Sequence, residues 1–410
     1  MKKVLIVSGI CSMMLVVACL RFGNNVANAD PRGETFAGAN ACAKCHAAIY
    51  NSYLHTAHFK ASAPASESTV HGSFANDSNV FTINGSQKVV MQKLDSGLFQ
   101  SFYVNGKFKE RHRFDIAFGG VKGESYLYWK GNELYQLPLS YYNGQHKWSS
   151  SPGMGLNFMD YPRIRPIGIR CLECHASYIN YLPGRSQRLD GIEEFDKNSL
   201  VYHIDCERCH GPGAQHVDFQ TRNPGVKTAR FITTYASLSR GQKLDMCAVC
   251  HSGQHSVMLR PAFGFVPGDT FAKFILPEFS PKIDTGHLDV HGNQLQLLKS
   301  SKCFVYSKME CSTCHDTHQN TRGNEAFYTQ KCLGCHNSPK QTYCKMTGTL
   351  SAGVLKTDCI NCHMPALPTQ AISVQVAAKS MPVQFFVHTH RIAVYPQEVK
   401  KILAYVNYNK

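Results

Sequence analysis

The sequence predicts a mainly α fold with much irregular loop wrapped round a repeated covalent site, plus one antiparallel β insert between the first and second copies of that site. Three observations carry this expectation. The pentapeptide Cys-x-x-Cys-His occurs seven times. Six of those copies crowd into residues 171–363, about 32 residues each, too few for each unit to bury a side-chain core of its own. Between Cys45 and Cys171, where no cysteine occurs, the pattern changes to period two. The order expected along the chain is a leader at 1–29, a first motif segment at 30–69, the β-rich insert at 70–150 and a six-motif core at 151–410. With 43% hydrophobic and 17% charged residues, disorder and a multi-span membrane protein are set aside.

The leader comes first. Met1-Lys2-Lys3 precedes an almost wholly apolar run from Val4 to Leu20, and Ala27-Asn28-Ala29 follows a Gly23-Asn24-Asn25 break. A basic start, an apolar middle and an A-x-A site make a secretory signal cleaved after Ala29. Two other readings stay open: Val16-Val17-Ala18-Cys19 passes as a lipoprotein box that would leave Cys19 lipidated, and the apolar run could serve as an uncleaved anchor. All three deliver the chain to the periplasm or another exported location, with membrane attachment only through a lipid or this N-terminal segment.

Fourteen of the eighteen cysteines belong to the motif. The copies are Cys42-x-x-Cys45-His46, Cys171-x-x-Cys174-His175, Cys206-x-x-Cys209-His210 and Cys247-x-x-Cys250-His251, then Cys311-x-x-Cys314-His315, Cys332-x-x-Cys335-His336 and Cys359-x-x-Cys362-His363. Composition alone would give roughly 0.04 matches in a chain of this length. The spacing has a chemical reason: two thiols so placed each form a thioether to one vinyl group of the same porphyrin, and the next residue, His, is held under the iron. Zinc sites and redox disulfides also use Cys-x-x-Cys, but seven copies that all end in His point away from both. The expectation is seven covalently attached c-type haems, with porphyrins in place of a side-chain core.

Thirteen further histidines could supply distal ligands. His318 follows His315 by three residues and His255 follows His251 by four, so on a helix each would share a face with its motif His and could not reach round the same iron. Both are expected to serve a neighbouring haem. His216 follows the turn Gly211-Pro212-Gly213 and could swing towards another porphyrin. His58, His291, His388 and His390 complete the main candidates, with His203 ranked lower, as is His388. His71, His112 and His146 lie in the cysteine-free stretch and are expected to be ordinary surface or packing residues. Cys303 and Cys344 stand outside every motif, and in an oxidising compartment two leftover thiols are expected to pair.

From about Val70 to Trp148, VFTINGSQKVVMQ and LFQSFYVNGKFKE set Asn84-Gly85 and Asn105-Gly106 between β-branched or aromatic runs, the strongest short hairpin signal. Gly119-Gly120, Gly131-Asn132 and Asn143-Gly144 punctuate further strands such as SYLYW and ELYQLPLSYY. The aromatics of this insert are expected chiefly to pack a core.

The formal charge of +15 invites an anionic polymer as partner. Removing Lys2, Lys3 and Arg21 with the leader leaves about +12, and seven ferric haems with ionised propionates bring it to about +5, or about −2 when fully reduced. The basic excess is therefore read as counter-charge for propionates, and nucleic acid is not expected as a partner.

Local phrases resemble the multihaem cytochromes related to the ammonia-oxidiser tetrahaem cytochrome, of cytochrome c-554 type, and to hydroxylamine oxidoreductase. They are ACAKCHAAIYNSYLHTAHF, IDCERCHGPGAQHV, SKCFVYSKMECSTCHDTH, DCINCHMP and FVHTHRIAVY, within a likeness running from Phe36 to about Tyr395. The resemblance implies a chiefly α, loop-rich fold with haem pairs at van der Waals distance, and it puts His390 rather than His388 on the ligand position. It implies an exported electron carrier between a quinol-linked donor and a terminal acceptor, reductase or other cytochrome. The alternative it implies is an oxidoreductase acting on a small nitrogen or sulfur compound at one open-sided haem, with catalytic residues unknown. The pentahaem nitrite reductases replace one motif His by Lys; all seven motifs here end in His.

Overall fold

The computed structural model describes residues 30–408 except residue 121 and the segments 155–164, 183–190, 253–256, 277–287, 337–343 and 375–382. The leader and His255 lie outside the described residues. Among the described residues no helix is long and apolar enough to cross a membrane.

The β insert is built from two sheets. Strands β1 (Ser62–Pro64), β2 (Val80–Thr82), β3 (Gln87–Leu94), β4 (Gly97–Val104), β5 (Lys107–Arg113), β6 (Ile116–Gly119), β7 (Gly123–Lys130), β8 (Glu133–Gln136), β9 (Leu139–Tyr142), β10 (Lys147–Ser150) and β11 (Arg165–Pro166) succeed one another along the chain. One sheet runs β2-β3-β4-β5 and the other β1-β6-β7-β8-β11, with β9 joining β7 to β10. All their pairings are antiparallel. Asn105-Gly106 makes the two-residue turn between Val104 and Lys107, and both residues take positive φ (50° and 74°), the conformation a type I′ turn requires. Val89, Met91, Leu98, Phe102, Phe114, Tyr126 and Trp148 fill the core of this insert.

The mainly α expectation is wrong. Helix and strand are nearly balanced, at about 32% and 27%. Strand structure is not confined to the insert: β12 (Ala176–Tyr181) pairs with β13 (Phe195–Tyr202) between the second and third motifs, and β14 (Ala366–Val374) pairs with β15 (Val383–His388) after the seventh. The physical reason is that the helices of the second, third and seventh motifs are short. Ile169–His175, Cys206–His210 and Cys359–His363 span one or two turns, so the chain leaving them satisfies its backbone groups by strand pairing.

Side-chain cores also form where porphyrin alone was expected to supply them. Leu244, Ala248 and Val249 of the fourth motif's helix pack with Phe265, Phe271, Phe274, Leu295 and Phe304. Ile169 and fully buried Leu172, the latter inside the second motif, pack with Ile116, Leu127 and Leu134 of the insert and with Ile179 and Phe195. This cluster fixes the insert to the second motif.

Candidate haem centres

The four residues of a motif that precede its His form one helical turn. In the third motif Asp205 caps that turn, its carboxylate accepting from the Arg208 backbone N–H at 3.0 Å. In the fourth, Ser239 and Gln242 make a capping box at the head of the helix Arg240–His251. The variable positions also anchor. Glu207 is buried and accepts from the backbone N–H groups of Ala37, Gly38 and Gly213 at 2.8–2.9 Å and from Arg32 at 3.0 Å. Arg32, with 4% of its side chain exposed, also bonds Asp30 and Asp205. The chain before the first motif is thereby clamped to the third. Glu173, inside the second motif and wholly buried, pairs with Arg170 and accepts from the Ala262 backbone N–H at 2.5 Å. These acids were missed from the sequence, although an acid between the motif cysteines was visible there.

The motif cysteines show which motifs are neighbours. Cysteine pairs close enough to perturb one another's thiols are Cys42 with Cys206, Cys174 with Cys250, Cys247 with Cys311 and Cys332 with Cys359. Cys209 lies within electrostatic reach of Cys250, and Cys314 of Cys335. The neighbour order is therefore first, third, fourth, fifth, sixth, seventh, with the second beside the fourth. Cys303 lies near Cys314 and Cys335, and Cys344 near Cys362; both are free thiols, and the expected disulfide between them is not formed in this structure.

Histidines outside the motifs meet motif histidines in four pairs. Ring centroids are 6.4 Å apart for His46 and His216, 6.1 Å for His210 and His318, 6.1 Å for His315 and His390, and 6.4 Å for His58 and His251. Each pair joins one motif His to one other His, and no residue is used twice. Two imidazoles on opposite sides of one iron, with metal–nitrogen bonds of about 2.0 Å and ring nitrogens about 1.1 Å from their centroids, stand about 6.2 Å apart. The donor set therefore fits an axially ligated haem iron.

Hydrogen bonding fits it too. Nδ1 of His175, His210, His216, His363 and His388 lies 2.7–3.2 Å from the carbonyls of Ala61, Thr233, Arg230, Ala393 and Met364, so Nδ1–H donates and Nε2 is left for a metal. Burial lowers the pKa of His175, His251, His291 and His315, and holds His58 and His390 down at about 4, so these rings stay neutral and able to coordinate.

The family described as cytochrome c554 and c-prime matches residues 41–87, a stretch that holds the first motif, His58 and the first strands of the insert. No curated protein matches. The outer cell wall cytochrome OcwA has a similar fold, with a TM-score of 0.52 at 18% identity over 90% of this chain and 81% of that one. The fold is therefore similar to that of a cytochrome, and the segment matched by the family holds one Cys-x-x-Cys-His motif.

The remaining candidates fall as follows. His388 donates to the Met364 carbonyl, and among the described residues it meets no motif imidazole at the distances above. His291 lies within electrostatic reach of His175 and His251, its loop tied to β14 by Asp289, which accepts from Thr369 and from the backbone N–H groups of His291 and Ala371. His203 takes a positive φ of 65° and stacks on Phe59 at 4.0 Å. His71 pairs with buried Glu124, His112 stacks on Tyr128 at 4.2 Å, and His146 closes the β9–β10 turn region with a φ of 50°.

Proposed function

We propose that this protein is an exported seven-haem c-type cytochrome and electron carrier, one haem on each Cys-x-x-Cys-His motif, passing electrons between a quinol-linked donor and a terminal acceptor. Haem iron supplies the one-electron couple. The observation that carries the reading is the set of four imidazole pairs, whose His residues would hold a haem iron and leave it to supply electron transfer rather than substrate binding. The distal residues cross between motifs: His58 follows the first motif and meets His251 of the fourth, His216 follows the third and meets His46 of the first, and His318 follows the fifth and meets His210 of the third. This lacing holds successive redox centres at fixed spacing, and the cysteine pairs support an electron path along the same order of neighbours. Export is supported by the leader and by the outer cell wall neighbour. Mass spectrometry of the denatured protein tests the count: the mature chain plus seven haems is expected, and fewer would refute it.

A second reading, an oxidoreductase for a small nitrogen or sulfur compound, is favoured by one observation. His175, His336 and His363 belong to none of the four imidazole pairs among the described residues; His175 stacks on Phe118 at 4.7 Å and lies within electrostatic reach of His291. Titrating the oxidised protein with cyanide, nitrite and hydroxylamine separates the two: a carrier leaves the spectrum unchanged, whereas an open-sided centre shifts it.

A further inference from the structure

The sheet β2-β3-β4-β5 has one face in the core of the insert and one turned outward. Register puts Val80, Val90, Ser101 and Arg111 in one outward row, Thr82, Lys88, Tyr103 and Phe108 in the next, and Gln92, Phe99 and Arg113 in a third. No carboxylate belongs to these rows; Asp115, beyond the strand, approaches Arg113 at 3.5 Å. A register shift beside Tyr103 leaves Lys109 as an extra residue on β5, adding a further exposed cation at the edge.

The cations are held flat. The Arg111 guanidinium lies 4.8 Å from the Phe108 ring centroid and 5.9 Å from that of Phe99, and the Lys88 ammonium lies 5.9 Å from Tyr103. Charges on an edge strand are an ordinary guard against edge-to-edge pairing. That guard accounts for Lys107 and Lys109 but not for the ring-supported cations reaching across β3 and β4, nor for Phe108, which is 47% exposed. On the same face Ser101 Oγ and Gln92 Oε1 are shielded from solvent and have no hydrogen-bond partner among the described residues, a cost that an incoming hydrogen-bonding group repays.

We propose that this face docks an anionic polysaccharide, a chain of sugar acids bearing both carboxylates and hydroxyls. Carboxylates meet Arg111, Arg113 and Lys88, for which the planar guanidinium is the better-matched partner. Hydroxyl groups donate to Gln92 Oε1 and exchange hydrogen bonds with Ser101, which a surface offering only carboxylate acceptors cannot do. Nucleic acid is disfavoured because Arg111 and Lys88 already occupy ring faces on which bases would stack. The inference stands apart from the electron-carrier reading, since none of these residues belongs to a haem motif.

Binding of the purified holoprotein to polygalacturonate at low salt tests it, with dextran, duplex DNA and polyglutamate as comparison ligands. The wild-type protein is expected to bind polygalacturonate and not dextran, with affinity falling as salt rises. Arg111→Glu and Phe108→Ala should each weaken binding at least about tenfold while leaving the haem spectrum and unfolding temperature unchanged. Lys88→Glu replaces Arg111→Glu if that variant does not fold. No binding, equal binding by the variants, or tighter binding to DNA or polyglutamate would overturn the proposal. Haem content measured on the same samples keeps a failure of the seven-haem reading separate from a failure here.

Discussion

His318 lies across from His210, ring centroids 6.1 Å apart and planes 17° from parallel, although His318 is only three residues from the motif histidine His315. Sequence spacing forbids His318 from serving its own motif, and the fold carries it to the third. Replacing it by Ala should therefore open one centre while leaving the number of attached haems intact. Intact mass should change only by the substitution itself, and the oxidised absorption spectrum should gain a high-spin component that free imidazole removes. A spectrum identical to wild type would mean that His318 holds nothing.

The fourth motif lies beside the second through Cys174 and Cys250, beside the fifth through Cys247 and Cys311, and near the third through Cys209. It is the junction of the neighbour order. A thioether in place of an axial imidazole raises a haem potential, so His58→Met should raise one midpoint in a spectroelectrochemical titration. Rapid reduction should then split into fast and slow phases as electrons are held at the junction. A shift confined to one midpoint with unaltered single-phase reduction would remove the fourth motif from the main path.

Arg32 is enclosed by Asp30, Asp205 and Glu207. Arg32→Met leaves buried carboxylates without their cation and should cost about 3 kcal/mol or more, read by denaturant unfolding. Burial pushes the Asp30 carboxyl up, but hydrogen bonds and charge from Arg32 outweigh it and the net pKa is lowered. The contribution of this pair is thus present above the unfolded value near 3.8 and is lost as pH falls through the lowered folded value. The variant should show a flatter stability profile in that acid range; an unchanged profile would count against the clamp.

A Cβ on Gly72 would stand 2.1 Å from Cζ2 of Trp148, whose indole N–H donates to the Ser73 carbonyl at 2.8 Å. Gly72→Ala should destabilise the insert by about 1–3 kcal/mol through overpacking. Near-ultraviolet circular dichroism should show the Trp148 environment altered while haem absorption stays as in the parent protein.

What could be read in the sequence was chemistry tied to local spacing. Cys-x-x-Cys-His carries its own geometry, and Asn105-Gly106 its own turn. Alternation does not end at Trp148: ASYINY, NSLVY and VQFFVH alternate as well, and these strands shift the balance away from a mainly α fold. Strands in the motif region pair across long separations, Ala366 with His388 for example, and such pairing leaves no local mark. Distal partners were legible as candidates but not as pairs, since His390 and His315 are joined only by the fold. Glu173 and Glu207 escaped notice because nothing in the sequence marks a motif acid as buried.

The most direct test is low-temperature electron paramagnetic resonance of the oxidised protein. Three imidazole pairs have planes within 27° of parallel, whereas His58 and His251 are 73° apart. Near-parallel axial rings give an ordinary rhombic low-spin signal and near-perpendicular rings a highly anisotropic one. Both kinds are expected together, with the highly anisotropic signal alone abolished by His58→Met. A spectrum dominated by high-spin iron, or a highly anisotropic signal that survives that substitution, would contradict axial ligation by these four imidazole pairs.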